Sequence, residues 1–311
     1  MTCTLSKSKY IKAFYLIGIM LFCTQLSYSQ REPQYTQYMY NIGSFNPAYV
    51  GTVESMDITA LYRAQWIDIP GAPRTIRFGT NIPFADRRNG IGFNIVNDQI
   101  GPTSSTYLDV SYSYQIIISD KTRLAFGIDA GGSFLNVDFS KGDFENPGEP
   151  ILDRGTINEF YPIIGAGVFL YADNWYFGAS APNFLTDGIY NDEVATIVDD
   201  KLQFNIIGGY VFELSDNLKL KPAVLVNLIS GAPTTFNVSA NFLINDVFTA
   251  GASYRVDNAV SGLVGFQISN SLFAGYSYDY NTNPLGEYNN GSHEVILKFY
   301  LGRGSGQKKD K

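Results

Sequence analysis

TTFNVSANFLI, residues 234–244, alternates without interruption: Phe236, Val238, Ala240, Phe242 and Ile244 point one way, and Asn237, Ser239 and Asn241 the other. A period of two over this length marks a β-strand with unlike faces. KLQFNIIGGYVF, residues 201–212, repeats it with Leu202, Phe204, Ile206 and Tyr210 opposite Gln203 and Asn205. LKLKPAVLVNL, residues 218–228, sets Leu218, Leu220, Val224 and Val226 against Lys219, Lys221 and Asn227. From about residue 55 onward no long amphipathic helix interrupts the pattern.

Alternation suits a soluble sandwich and a membrane barrel equally, because it does not say which face is inside. Three features decide for the barrel. The strands run to about 9–12 residues, the length a tilted strand needs to cross a bilayer. The connections alternate strictly between tight and longer. The chain is rich in aromatics, Tyr 22 and Phe 22, many near predicted strand ends where an interfacial girdle lies.

The tight connections are ADRRNG (85–90), SDK (119–121), DN (173–174), SDN (215–217), ND (245–246) and SNS (269–271), with the Asn, Asp, Ser and Gly that short hairpins require. Between them fall DIPGAP, IGPTS, a loop over 139–157, another over 182–200, GAPT, DNA and a last one over 281–292. The expected fold is an all-β transmembrane antiparallel outer-membrane β-barrel of about fourteen strands, an even number as single-chain barrels require. Short turns then face the periplasm, as do the N-terminal segment and the basic tail. Pro162 and Pro222 fall inside predicted strands, where each removes a ladder donor.

The N-terminus reads as a secretory leader over 1–29. Lys7, Lys9 and Lys12 precede the apolar run AFYLIGIMLF (13–22), too short to span a bilayer, and Ser27-Tyr28-Ser29 supplies the small residues of a cleavage site. A lipid anchor at Cys23 is disfavoured by Phe22, where a lipobox needs a small residue. Cleavage removes both cysteines, Cys3 and Cys23, and leaves His293 as the one histidine. That excludes disulfides, thiol nucleophiles and HExxH-type zinc sites; no cofactor or metal is expected. The net charge of −7 becomes more negative with the loss of the leader lysines, a poor match to nucleic acid. The remaining organisation is an N-terminal segment over 30–53, the barrel over 54–302 and a basic tail over 303–311.

A barrel of this size encloses a lumen that needs filling. The segment YTQYMYNIGSFNPAYVG, residues 35–51, is too short for a globular plug domain but long enough to fold inside as a stopper, pairing with inward Asn, Gln, Ser and Lys. Pro47 fixes its own backbone and extends Asn46, Asn46 bonds nearby backbone groups, and Gly51 permits a turn into the first strand. Arg63 and Gln65 share the polar side of that strand with Asp57 and Thr59 and are expected to face the lumen.

QYTQYM (34–39), FNPAYVG (45–51) and YRAQW (62–66), followed by IPGAPRTIRFGTNIPF and NGIGFNIVNDQIGPTSSTYLDVSYSYQI, resemble the PorP/SprF family of outer-membrane proteins of the Bacteroidetes type IX secretion system. The resemblance covers essentially the whole mature chain, with Gln37, Tyr38, Asn46, Pro47, Ala48 and Gly51 in the motif and lumen segment. It implies a non-enzymatic role in the secretion or surface anchoring of a partner protein, adhesin-like and bearing a C-terminal sorting domain. Other type IX components and outer-membrane lipid are the further partners, and some members serve gliding motility. On this reading the acidic long loops, with Asp143 and Glu145 in one and Asp187, Asp192 and Glu193 in the other, are the candidate partner contacts.

Three other readings of the sequence compete with this one. A pore or transporter for small hydrophobic molecules suits the polar lumen, and the NPA element resembles the hatch of fatty-acid-transporter-like barrels; the shortness of the segment speaks against it. A hydrolase would need His293 beside an acid, but Glu294 falls on the opposite strand face. Calcium binding by Asp143, Glu145, Glu149 and Asp153, or by Asp187, Asp192, Glu193, Asp199 and Asp200, lacks EF-hand spacing.

Overall fold

The computed structural model describes residues 33–142, 155–185 and 202–302. The leader, the basic tail and the loop residues Asp143, Glu145, Asp187, Asp192 and Glu193 lie outside the described residues. Among the described residues fifteen strands follow one another: β1 Met56–Ala64, β2 Arg74–Pro83, β3 Asn89–Ile100, β4 Thr103–Ile117, β5 Arg123–Asp138, β6 Thr156–Tyr171, β7 Trp175–Ala181, β8 Gln203–Tyr210, β9 Phe212–Ser215, β10 Leu218–Ile229, β11 Thr235–Ile244, β12 Phe248–Arg255, β13 Ala259–Ser269, β14 Leu272–Asn281 and β15 Ser292–Leu301. Apart from β8 and β9, sequential neighbours pair antiparallel, and β15 pairs with β1 from Met56↔Leu301 to Ala64↔His293, closing the sheet.

β8 and β9 are two halves of one stave, since both pair with β10. Their ladder is interrupted beside Pro222, which has no N–H to donate. Counted as staves, the molecule is a closed 14-strand antiparallel β-barrel. Pro162 sits within β6 opposite Gly132 without breaking it.

β11 shows why the barrel belongs in lipid. Phe236, Val238, Ala240, Phe242 and Ile244 are exposed on the outer wall, while Asn237, Ser239 and Asn241 are buried inside. This inverts the usual partition, and the same inversion recurs around the barrel: Ile76, Phe93, Phe126, Phe160 and Val264 are all exposed. Only a hydrocarbon solvent makes such an arrangement stable.

The connections fall at two ends. At one lie 84–88, 118–122, 172–174, 216–217, 245–247 and 270–271; the ND turn has φ of 53° at Asn245 and 54° at Asp246, the left-handed pair of a tight hairpin. At the other end the expected strict alternation does not hold. The β3–β4 connection, 101–102, is as short as any at the turn end, because Gly101 at φ +54° turns the chain at once before Pro102. Strand length also varies more than expected, from 4 residues in β9 and 7 in β7 to 16 in β5 and β6.

Candidate functional site in the barrel lumen

The segment before β1 fills the lumen. It makes three single-turn 3₁₀ helices, Tyr38–Tyr40, Ile42–Ser44 and Pro47–Tyr49. The last begins on Asn46, extended at φ −134°, ψ 104°, whose side-chain oxygen accepts from the Ala48 N–H at 3.0 Å and whose amide nitrogen donates to the Val168 carbonyl at 3.1 Å. Pro47 occupies the first helical position, where its missing N–H costs nothing. Asn46 thus caps its own turn and ties it to β6.

The fit to the wall is made by glycines. A Cβ on Gly127 of β5 would lie 2.2 Å from the Ala48 nitrogen, and one on Gly90 of β3 would lie 2.2 Å from the Gly51 Cα. Gly51 is therefore small for close approach; it does not adopt the left-handed conformation of a turn.

The other end of the segment is held by charge. Arg63, the penultimate residue of β1 and 1% exposed, pairs with Asp279 of β14 at 2.7 Å and Glu294 of β15 at 3.1 Å. The Glu294 carboxylate also accepts the backbone N–H groups of Thr36 and Gln37, each at 2.9 Å. The Thr36 hydroxyl donates to Asp279 at 2.7 Å and accepts from Arg63 at 3.1 Å. These are charge-assisted bonds in a buried setting, the strong kind. They place the first described residues at the long-loop ends of β1, β14 and β15, so the chain descends through the lumen before entering β1. Strand parity sets the start of β1 on the short-turn side but leaves open the path leading to it.

Between the two anchors apolar packing is joined by a few hydrogen bonds. Tyr38, Ile42 and Ala48 pack with Ala125, Phe169, Ile207, Ala223 and Leu225 of the wall. Burial pushes the Tyr38 phenol up to about 12, and its hydroxyl donates to the Ala223 carbonyl at 2.9 Å. Its oxygen also lies 3.0 Å from Ser239 Oγ.

The motif residues Gln37, Tyr38, Asn46, Pro47, Ala48 and Gly51 are all buried within the barrel. Arg63 joins them there. Gln65 does not: it lies past the end of β1, half-buried, its backbone N–H on the Pro73 carbonyl. His293 faces outward, its Nδ1 2.7 Å from the Tyr276 hydroxyl, while Glu294 points inward. Thr36, Asp279 and Glu294 were missed as a site. Their signal was an inward Asp and Glu on the two strands that barrel closure sets beside Arg63.

Below the segment, at the short-turn end, lies a cavity of about 590 Å³. Tyr40 and Tyr49 roof it; Phe169, Tyr176, Phe273 and Tyr300 are on its wall.

Among solved structures the fold is similar to the CymD monoaromatic hydrocarbon channel, with TM-score 0.50, 12% identity and coverage of 86% of this chain and 93% of that one. It is also similar to the Ralstonia pickettii toluene transporter TbuX, with TM-score 0.46, 12% identity and coverage of 82% and 91%. A Pseudomonas aeruginosa FadL homologue gives TM-score 0.44, 13% identity and coverage of 86% and 95%. At these identities the likeness is one of fold alone. No curated protein matches the chain. A family model described as "Type IX secretion system membrane protein PorP/SprF" matches residues 27–299.

Proposed function

The chain belongs to the PorP/SprF family of type IX secretion system membrane proteins, and from that premise we propose that it is a non-enzymatic outer-membrane adaptor. It assists the secretion or surface anchoring of an adhesin-like partner that bears a C-terminal sorting domain. The short turns face the periplasm and the long loops the cell exterior, so the partner's sorting domain meets the loops or the lumen mouth. The acidic residues Asp143, Glu145, Asp187, Asp192 and Glu193 are the proposed contacts, and a gliding-motility role would follow where the partner is a mobile adhesin.

The observation that carries this reading is the lumen filled from Thr36 to Gly51 by side chains cut to fit the wall. A barrel so occupied offers surfaces more readily than a passage, which supports an adaptor over a pore for small hydrophobic molecules. Affinity capture of the tagged protein from detergent-solubilised outer membranes, with mass spectrometry of what co-purifies, tests it. A large secreted protein, lost when its C-terminal domain is deleted, is the expected recovery; the barrel alone, from cells secreting such proteins, would overturn the proposal.

A further inference from the structure

The outer wall changes chemistry along a single row of ladder partners. Because the strands of a closed barrel are tilted, such a row climbs across the membrane as it passes from strand to strand. On β12 and β13 the row carries Ala252 and Gly262, and on β14 and β15 it carries Tyr278 and His293. Past the closing seam it reaches Ala64 of β1 and Arg74 of β2, then Gln99 and Ser104 on β3 and β4. Small apolar groups give way to aromatic rings, then to a cation, then to neutral polar groups. The row therefore leaves the hydrocarbon between His293 and Gln99, and Arg74 stands at headgroup height on the face that meets lipid. The row one step nearer the turn end sets Val295, Tyr62 and Ile76 below His293, Ala64 and Arg74, and all three are exposed.

The two polar side chains frame a gap. Ala64 pairs with His293 on one side and Arg74 on the other, so the flanking backbones stand about 10 Å apart with one methyl group between them. His293 is held in place, its Nδ1 2.7 Å from the Tyr276 hydroxyl and its ring 5.2 Å from that of Tyr278. With that hydroxyl donating to Nδ1, the imidazole proton sits on Nε2 and makes it a donor. Arg74 is exposed and ion-paired with no described residue. Asp68, in the connection between β1 and β2, is engaged by the Asn290 amide. An unpaired guanidinium and an N–H donor on either side of a bare strip, above exposed apolar side chains, match a phosphate that has acyl chains beneath it.

We propose that Arg74 and His293 hold the phosphate of a phosphorylated membrane lipid over Ala64, with its acyl chains against Tyr62, Ile76 and Val295. That the lipid belongs to the outer leaflet rests on the orientation adopted for the adaptor; the site itself does not.

Native mass spectrometry of the full chain, released from detergent micelles containing dioleoyl phosphatidic acid or dioleoylglycerol, tests this. The phosphatidic acid adduct is expected to saturate and the dioleoylglycerol adduct to stay weak. Arg74→Gln is expected to weaken phosphatidic acid binding by about tenfold, as the loss of a charged hydrogen bond does, and Arg74→Lys to restore part of it. His293→Phe, which keeps a ring between the tyrosines, is expected to weaken it by about threefold. Ala64→Phe fills the gap from the lipid side and is expected to abolish it. Lys141→Gln is the control: this exposed cation after β5, 3.2 Å from Asp138, lies outside the site, and its loss is expected to change nothing. All of these side chains lie outside the lumen, and folding is read from heat-modifiable gel mobility. Equal binding of the two lipids, unchanged affinity in folded Arg74→Gln, or the same loss in Lys141→Gln would overturn the proposal. Since no secretion partner is present, failure here leaves the affinity-capture result standing, and the converse holds.

Discussion

Glu294 is fully buried, and its carboxylate holds three groups at once: the Arg63 guanidinium and the backbone N–H groups of Thr36 and Gln37. Replacing it with leucine leaves Arg63 with Asp279 as its one paired carboxylate and strands two amide donors. Breaking a buried pair in this way costs about 3–5 kcal/mol, and here the loss falls on the plug's upper anchor. Glu294→Leu is expected to render residues 35–49 cleavable by chymotrypsin in the folded barrel, while Glu294→Gln, which keeps an acceptor, resists better. Gly127→Val strikes the lower anchor, since its side chain would enter the space of the Ala48 backbone. It is expected to give the same protease sensitivity with unchanged barrel mobility on unheated gels. The sequence made Arg63 and Asn46 legible because their polar character stands out on a strand face and before a proline. Glycines gave no comparable signal, because a glycine inside a strand reads as a weak point until the backbone it admits is known.

At the scale of the strand, β11 was readable residue by residue, since its two faces are uniformly unlike. β8 and β10 were harder. Ile206-Ile207 and the run Ala223 to Val226 place apolar groups on both faces, and Ile207, Ala223 and Leu225 turn inward to meet Tyr38 and Ile42. A continuous apolar run in an otherwise alternating strand was the available sign that the lumen there is not water-filled. The Pro222 interruption follows from its missing N–H, but that it would split a stave without ending it depends on the neighbours' ladders. The outer face makes its own prediction. Val238 is 51% exposed near the middle of β11. Val238→Arg is expected to destabilise the barrel by about 2–4 kcal/mol in lipid vesicles, the penalty for a cation near the midplane. Denaturant titration of refolded protein measures it, and Asn237→Ala on the inner face should leave vesicle insertion unchanged.

For the molecule as a whole, the even strand count, the closure of β15 on β1 and the lipid-facing outer wall were all implied by period and turn chemistry. The direction of the plug was not, because its path depends on a charge cluster assembled from three strands far apart in sequence. That path matters most for function: the segment enters beside Arg63 at the loop end and leaves beside Gly90 at the turn end, filling the lumen on the way down. The most direct test is planar-bilayer conductance of the intact chain against a variant lacking residues 36–48. A sealed barrel predicts silence from the intact protein and discrete open steps from the deletion variant. Steady conductance by the intact chain, equal to that of the variant, would contradict a lumen closed by its own N-terminal segment.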